Sequence, residues 1–148
     1  MLAGRFTQAA LRAMDWLVER TLPPEDRPAH QQTGRRGEEA AYFYLRRRGY
    51  VMIARNYRSP HHRGELDIVG WDKDVLCFIE VKTRTTHDVK PAEAAVDREK
   101  QRELCLVTRD FLRHMSPMCQ WRFDVLSVYY DEGNQPVFEL FQNAFSVS

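Results

Sequence analysis

Gly64-Glu65-Leu66-Asp67-Ile68-Val69-Gly70-Trp71, then Asp72-Lys73-Asp74, then Val75-Leu76-Cys77-Phe78-Ile79-Glu80-Val81-Lys82-Thr83-Arg84 is the stretch that decides the fold. Two alternating runs rich in β-branched and aromatic residues flank three polar residues, which is the pattern of a tight β-hairpin. Successive strand side chains point to opposite faces, so Leu66, Ile68, Cys77, Ile79 and Val81 are expected on one apolar face. The other parity holds Glu65, Asp67, Val69, Phe78, Glu80 and Lys82. With Lys73 and Asp74 as the loop, Val69 faces Phe78, Asp67 faces Glu80 and Glu65 faces Lys82. This second face is apolar near the turn and ionic at its far end.

Two carboxylates directly opposite each other would bring their Cβ atoms to about 4.5–5.5 Å and repel. A hard cation removes that conflict, since Mg²⁺ takes oxygen ligands, commonly one or two carboxylates completed by water and phosphate. Lys82 shares the face of Glu80 and can reach an attacking water or a phosphate. Asp67 with Glu80-Val81-Lys82 therefore suits metal-assisted hydrolysis of a phosphoester, the ion polarising the phosphate and the lysine stabilising developing charge. An ion-pair account uses the same residues: Glu65 with Lys82, Asp67 bonded to the preceding loop, Glu80 exposed. The residue types are common, so the string alone discriminates weakly.

Around the hairpin, a helix is expected from about Gly34 to Arg48, stopped by Gly49, and a first strand over Tyr50 to Tyr57. Ser59 to Gly64 reads as a loop. A long helical pattern runs from Ala92 to Met115, followed by strands Trp121 to Tyr130 and Val137 to Phe141. The order α-β-β-β-α-β-β implies an α/β protein with a mixed central sheet flanked by helices. Upstream, residues 2–20 carry a helical stripe of Phe6, Ala10, Ala13 and Leu17, and Leu22 to Pro28 reads as a linker. Residues 1–30 are thus expected to be a helical extension and 31–148 the main domain.

Glu38 shares a stripe with Ala41 and Leu45, so it projects from the apolar side of the first helix and needs a partner, either an arginine or a metal-bound water. Lys100 lies on the buried stripe of Val96, Leu104, Val107 and Phe111, where it either snorkels to solvent or meets the site or a phosphate. Charge is unevenly spread: Gln31 to Arg63 holds eight arginines against two acids, whereas Phe123 to Ser148 holds four acids and no basic residue. One positive face is what a phosphate backbone needs; a solvated arginine-rich helix is the bland equivalent.

Other chemistries are poorly served. The three cysteines are odd in number and lack metal-ligand spacing, which suggests reduced thiols in the cytoplasm. His61, His62 and His87 read as solvated loop residues, and no serine or cysteine nucleophile motif is present. Asp124 interrupts an apolar strand and reads as a structural hydrogen-bonding residue, while Tyr42, Phe43, Tyr44, Trp121 and Phe123 read as core. No apolar run approaches a membrane span, and Arg5, Arg12, Asp15 and Glu19 argue against a secretory signal.

Gly34-Arg35-Arg36-Gly37-Glu38, Gly49-Tyr50, Arg55-Asn56-Tyr57-Arg58, Gly64-Glu65-Leu66-Asp67, Phe78 to Arg84, Lys100 and Arg122-Phe123-Asp124 occur in this order. Together they resemble the YraN family of small bacterial proteins, over about Gly34 to Val128. That resemblance implies a restriction-endonuclease-like core of the PD-(D/E)xK superfamily, similar to archaeal Holliday-junction resolvases. It implies Asp67 and Glu80 as metal-binding acids, with the Val81 carbonyl beside them, Lys82 as the catalytic lysine and Glu38 as an acid on the first helix. Leu66 stands where the superfamily often has proline. The expected function is DNA phosphodiester hydrolysis with Mg²⁺, or Mn²⁺ in its place, on branched or irregular DNA. Arg35, Arg36, Arg58, Arg63, Arg84 and Lys100 are the expected DNA contacts. No other cofactor is expected, and a homodimer is, since a resolvase needs two sites. The rival is a non-catalytic DNA-binding or scaffold module on the same fold.

Overall fold

Gly49 ends the first helix, α1 (Ala29–Arg47). Its φ of +93° is left-handed, which a residue without a Cβ adopts at no steric cost. There Gly49 N–H donates to the Arg46 carbonyl at 3.0 Å and Tyr50 N–H to the Leu45 carbonyl at 3.1 Å. These two bonds close the helix end and turn the chain into β1 (Val51–Arg58). Next come β2 (Glu65–Asp72), β3 (Val75–Arg84), α2 (Arg98–Arg113), β4 (Gln120–Tyr130) and β5 (Pro136–Phe145). A computed structural model describes residues 29–84, 96–115, 119–130 and 135–146. The expected helix over 2–20 and the linker after it lie outside the described residues.

The five strands form one sheet in the order β1-β2-β3-β4-β5. Pairing is antiparallel except between β3 and β4, which run parallel because α2 carries the chain back across the sheet. The mixed sheet agrees with the sequence reading. The β2–β3 turn does too: Asp72 pairs with Val75 and Val69 with Phe78, and Lys73 takes the left-handed φ of +53° that the tight turn requires.

Each sheet face has its own core. On one side, Ala41, Tyr42 and Leu45 of α1 pack on Ile68, Cys77, Ile79, Leu126 and Val128. On the other, Leu104 and Val107 of α2 pack on Val69, Leu76, Phe78, Phe123 and Val125. Each buried Val, Leu, Ile or Phe among them contributes about 1.5–3 kcal/mol. Cys77 belongs to the first core, and burial, followed by the charge of Asp124, pushes its thiol up to about 12. All three cysteines are unpaired thiols.

Several expectations are corrected. Leu66 packs in the α2-side core rather than with Ile68, because strict alternation fails where β2 parts from β3. Phe43 and Trp121 are partly exposed, at 37% each, whereas Tyr42 and Phe123 are core. The second helix starts at Arg98, since Asp97 is extended and caps it by accepting the Lys100 N–H. The last strand runs to Phe145, well past Phe141. Among the described residues no helix is long and apolar enough to cross a membrane.

Candidate functional site

The β2–β3 ladder stops at the Ile68–Ile79 pair, although β2 goes on pairing with β1 to Glu65 and β3 with β4 to Arg84. The expected Asp67–Glu80 and Glu65–Lys82 pairs therefore do not form as ladder pairs. In their place the Asp67 side chain accepts the Val81 N–H on Oδ2 at 2.9 Å. A backbone donor that would otherwise be orphaned is satisfied by a carboxylate, and the two strands separate beyond it. The gap is flanked by α1 on one face of the sheet and by the first turn of α2 on the other.

Glu80 is only 6% exposed. Its Oε1 faces two ammonium groups, Lys82 Nζ at 3.3 Å and Lys100 Nζ at 3.8 Å. Its Oε2 is buried and accepts no hydrogen bond from the described residues. Such an atom is expensive to leave bare. The recess beneath the two acids is walled by Leu66, Phe78, Leu104 and Phe123, so the floor is apolar. That burial, and then the adjacent Glu80 carboxylate, hold Asp67 well above the usual carboxylate range; the Val81 N–H opposes this, and Glu38 adds to it.

Glu38 comes from α1. Burial raises its pKa first, the charges of Glu65 and Glu80 raise it further, and Arg55 and Arg35 act against them. Of the two arginine charges, that of Arg55 acts more strongly on Glu38, and the Arg55 guanidinium lies over the Tyr42 ring at 4.5 Å. Among the described residues no three His, Cys, Asp or Glu side chains form a metal-ligand group. Asp67 and Glu80 thus stand as a pair, with Glu38 farther off.

Residues 37–128 match the model of a family described as Uncharacterised protein family UPF0102. A UPF0102 protein of Koribacter versatilis (strain Ellin345) is 50% identical over 143 residues, covering 97% of this chain and 96% of that protein. The chain belongs to the UPF0102 family. A UPF0102 protein of Solibacter usitatus is 40% identical over 90% of this chain and 96% of its own length. One from Chlorobaculum tepidum is 41% identical over 68% of this chain and 77% of its own length. The family is the one the ordered motifs resemble. The UPF0102 match runs from α1 into β4 and so contains Glu38, Asp67, Glu80, Lys82 and Lys100.

The basic residues singled out in the sequence of this UPF0102 protein divide. Lys100 reaches Glu80, and Arg35 acts on Glu38. Arg58 bonds Glu65 at 2.8 Å, which replaces the expected Glu65–Lys82 pair. Arg36 turns to Tyr130, its guanidinium 4.8 Å from the ring centroid and its carbonyl accepting the phenol at 3.1 Å. Arg84 Nε is buried with no hydrogen-bond partner among the described residues, and Arg63 is exposed on the β1–β2 loop. That loop is tied to α2: Ser59 donates its hydroxyl to Asp110 Oδ2 at 2.6 Å and accepts the His61 N–H at 3.1 Å. The Ser59 bond holds Asp110 below its ordinary value. Sequence reading missed this tie, since its partners are 51 residues apart. It also left Arg55 unassigned; the signal available was its place in Arg55-Asn56-Tyr57-Arg58.

Helix α1 comes close enough to present Glu38 because Gly37 has no side chain. A Cβ at Gly37 would collide with the Thr83 hydroxyl and the rest of that side chain. Gly37→Ala is expected to push α1 away from β3 next to Lys82, with a stability loss of about 1–3 kcal/mol. Urea melts of Gly37→Ala alone and with Thr83→Gly check this: recovery in the double variant is expected, and equal losses would sink the contact as the cause.

Proposed function

We propose that this UPF0102 protein is a metal-dependent endonuclease that hydrolyses DNA phosphodiester bonds on a restriction-endonuclease-like fold. The single observation that carries the reading is Glu80 Oε2, a buried carboxylate oxygen that accepts no hydrogen bond among the described residues, beside the raised carboxyl of Asp67. A hard divalent cation fits it. Asp67 accepts the Val81 N–H on Oδ2 and lies against the Glu80 carboxyl, while Glu80 faces the lysines with Oε1 and its Oε2 accepts no hydrogen bond among the described residues; a cation would take the place of the proton that two such acids share. In an extended strand the N–H and C=O of one residue face the same neighbour, so the Val81 carbonyl joins them at the gap. Two carboxylate oxygens and a carbonyl are the partial, oxygen-only set that Mg²⁺ accepts, with Mn²⁺ as a substitute.

The bound ion would supply Lewis-acid polarisation of the phosphate and a more acidic water. The remaining chemistry belongs to the chain. Lys82, 3.3 Å from Glu80 Oε1 and half-buried, stabilises negative charge on the phosphoryl oxygens in a site whose apolar floor strengthens that interaction. Glu38, its proton affinity raised by burial, would accept a proton from the attacking water. Arg35, Arg58 and Arg63 hold the DNA backbone without reading sequence. The resolvase-like superfamily that the ordered motifs resemble favours branched DNA and action as a homodimer.

Cleavage of linear, flapped and four-way DNA with Mg²⁺ or Mn²⁺ tests the reading, using wild type, Asp67→Ala, Glu80→Ala and Lys82→Ala. Loss of about 10²-fold or more in each variant is expected. Cleavage that survives all three changes would overturn the site. Salt-sensitive DNA binding without cleavage in the wild type would replace it by the non-catalytic DNA-binding reading.

A further inference from the structure

Lys100 is placed against local preference. It lies in the first turn of α2, where Asp97 caps the helix by accepting the Lys100 N–H at 2.8 Å. The same start is fixed by Gln101 N–H on the Asp97 carbonyl at 2.9 Å and Gln101 Nε2 on the Val96 carbonyl at 2.9 Å. A cation at a helix N-terminus opposes the helix dipole at a cost of about 0.3–1 kcal/mol. A residue that breaks a local rule points to a compensating role elsewhere. The side chain reaches from the α2 face of the sheet to Glu80, whereas Glu38 approaches from the α1 face.

The contact with Glu80 is not that of a permanent ion pair. Charge-assisted N–H···O bonds are about 2.7–2.9 Å long, but Lys100 Nζ is 3.8 Å and Lys82 Nζ 3.3 Å from the same oxygen. Two ammonium groups share Oε1 while Oε2 has neither. About a third of each lysine side chain is exposed, 32% and 29%, so both can turn outward without crossing the core.

We propose that Lys100 is a substrate-phosphate ligand, held on Glu80 in the free protein and released to a DNA phosphate when a divalent cation occupies the Asp67–Glu80 gap. This rests on the metal-site reading above. Without a cation, Lys82, Lys100, Arg55 and Arg35 stand against Asp67, Glu80, Glu38 and Glu65, so charges are near balance. A doubly charged ion tips the site positive and weakens the hold of Glu80 on both ammonium groups. The freed Lys100 then adds a positive charge at the mouth of the gap, where an anionic backbone can neutralise it. Cation and DNA therefore bind with positive coupling, and by linkage each strengthens the other equally.

Removing Lys100 has opposite effects on the two ligands. The test uses the full chain, Ca²⁺ as the cation in the absence of cleavage, and a short DNA duplex followed by fluorescence anisotropy. Lys100→Met is expected to bind Ca²⁺ several-fold more tightly, because a competing positive charge is gone. In Ca²⁺ it should bind DNA several-fold more weakly, with a salt slope shallower by about one. Lys100→Arg should restore DNA binding. A merely structural ion pair predicts a lower melting temperature with both affinities unchanged, and that result overturns the proposal. A variant weakened for both ligands also overturns it. Wild-type protein that binds no Ca²⁺ at all would remove the metal-site reading as well, and shows itself before any variant is made.

Discussion

Asp67→Asn is expected to make the metal-free chain more stable and to erase any rise in melting temperature on adding Mg²⁺ or Mn²⁺. Asp67 is held well above its ordinary 3.8 by burial and by the Glu80 carboxylate. Its folded form binds a proton more readily than its unfolded form, so stability from this group is fully present below pH 3.8 and is lost as pH rises through the raised folded value. At neutral pH the ionised group therefore strains the fold. Asparagine keeps an oxygen for the Val81 N–H at 2.9 Å but carries no charge against Glu80. Relief of such functional-site strain is commonly worth about 0.5–2 kcal/mol, or about 2–6 °C for a domain of this size. The same change removes one of the two carboxylates that would hold the cation. Thermal melts from pH 4 to 8, with and without metal, separate the effects. A variant that melts lower than wild type without metal, or still rises with it, would falsify the assignment of Asp67 as a strained metal ligand.

The strain at Asp67 was legible in the sequence only as parity. Alternation and the two-residue loop put Asp67, Glu80 and Lys82 on one face, and the observed register agrees as far as Ile68–Ile79. Where a ladder ends is set by tertiary contacts. Here a side chain, Asp67, takes the donor that the neighbouring strand would have taken, and periodicity carries no record of that. The altered packing of Leu66 follows from the same separation. Helix ends were readable where a residue type dictates them, as at Gly49 with its positive φ. The start of α2 was misplaced because the Ala92 to Val96 pattern continues the apolar stripe, while a single side chain, Asp97, caps the helix beyond it. Lys100 could be assigned to the buried stripe, but its reach to Glu80 depends on how α2 crosses the sheet. Pairings such as Ser59 with Asp110 or Arg122 with Asp72 join distant segments, and one sequence offers no register between them.

Asp124→Ala is expected to be the most destabilising single change in the chain, although Asp124 lies outside the proposed site. Asp124 is fully buried and accepts Arg122 Nε on both oxygens, at 2.9 and 3.1 Å. It also accepts the Asn143 N–H at 2.8 Å, which fixes the left-handed bulge residue, φ +51°, where the β4–β5 register shifts. Arg122 Nη2 in turn donates to Asp72 at 2.9 Å and to the Tyr50 hydroxyl at 3.3 Å. The network thus joins the end of α1, the β2–β3 turn and both strands of the last hairpin. Deleting Asp124 leaves Arg122 only its pair with the more exposed Asp72 and strips Arg122 Nε and the buried Asn143 N–H of their acceptor, which costs up to about 3–5 kcal/mol, the range for breaking a buried pair. That is a large share of the roughly 5–15 kcal/mol that holds a domain folded. Asp72→Ala should cost much less, since Asp72 is 29% exposed and its loss leaves Arg122 paired with Asp124. The double variant Asp124→Leu with Arg122→Met removes both charges and should recover part of the loss, because apolar replacement of a buried pair is often neutral. Urea melts of the three variants give the ordering. A loss for Asp124→Ala no larger than for Asp72→Ala would show that water, rather than the fold, compensates Arg122, and the network would then be a surface pair with little hold on the β4–β5 hairpin.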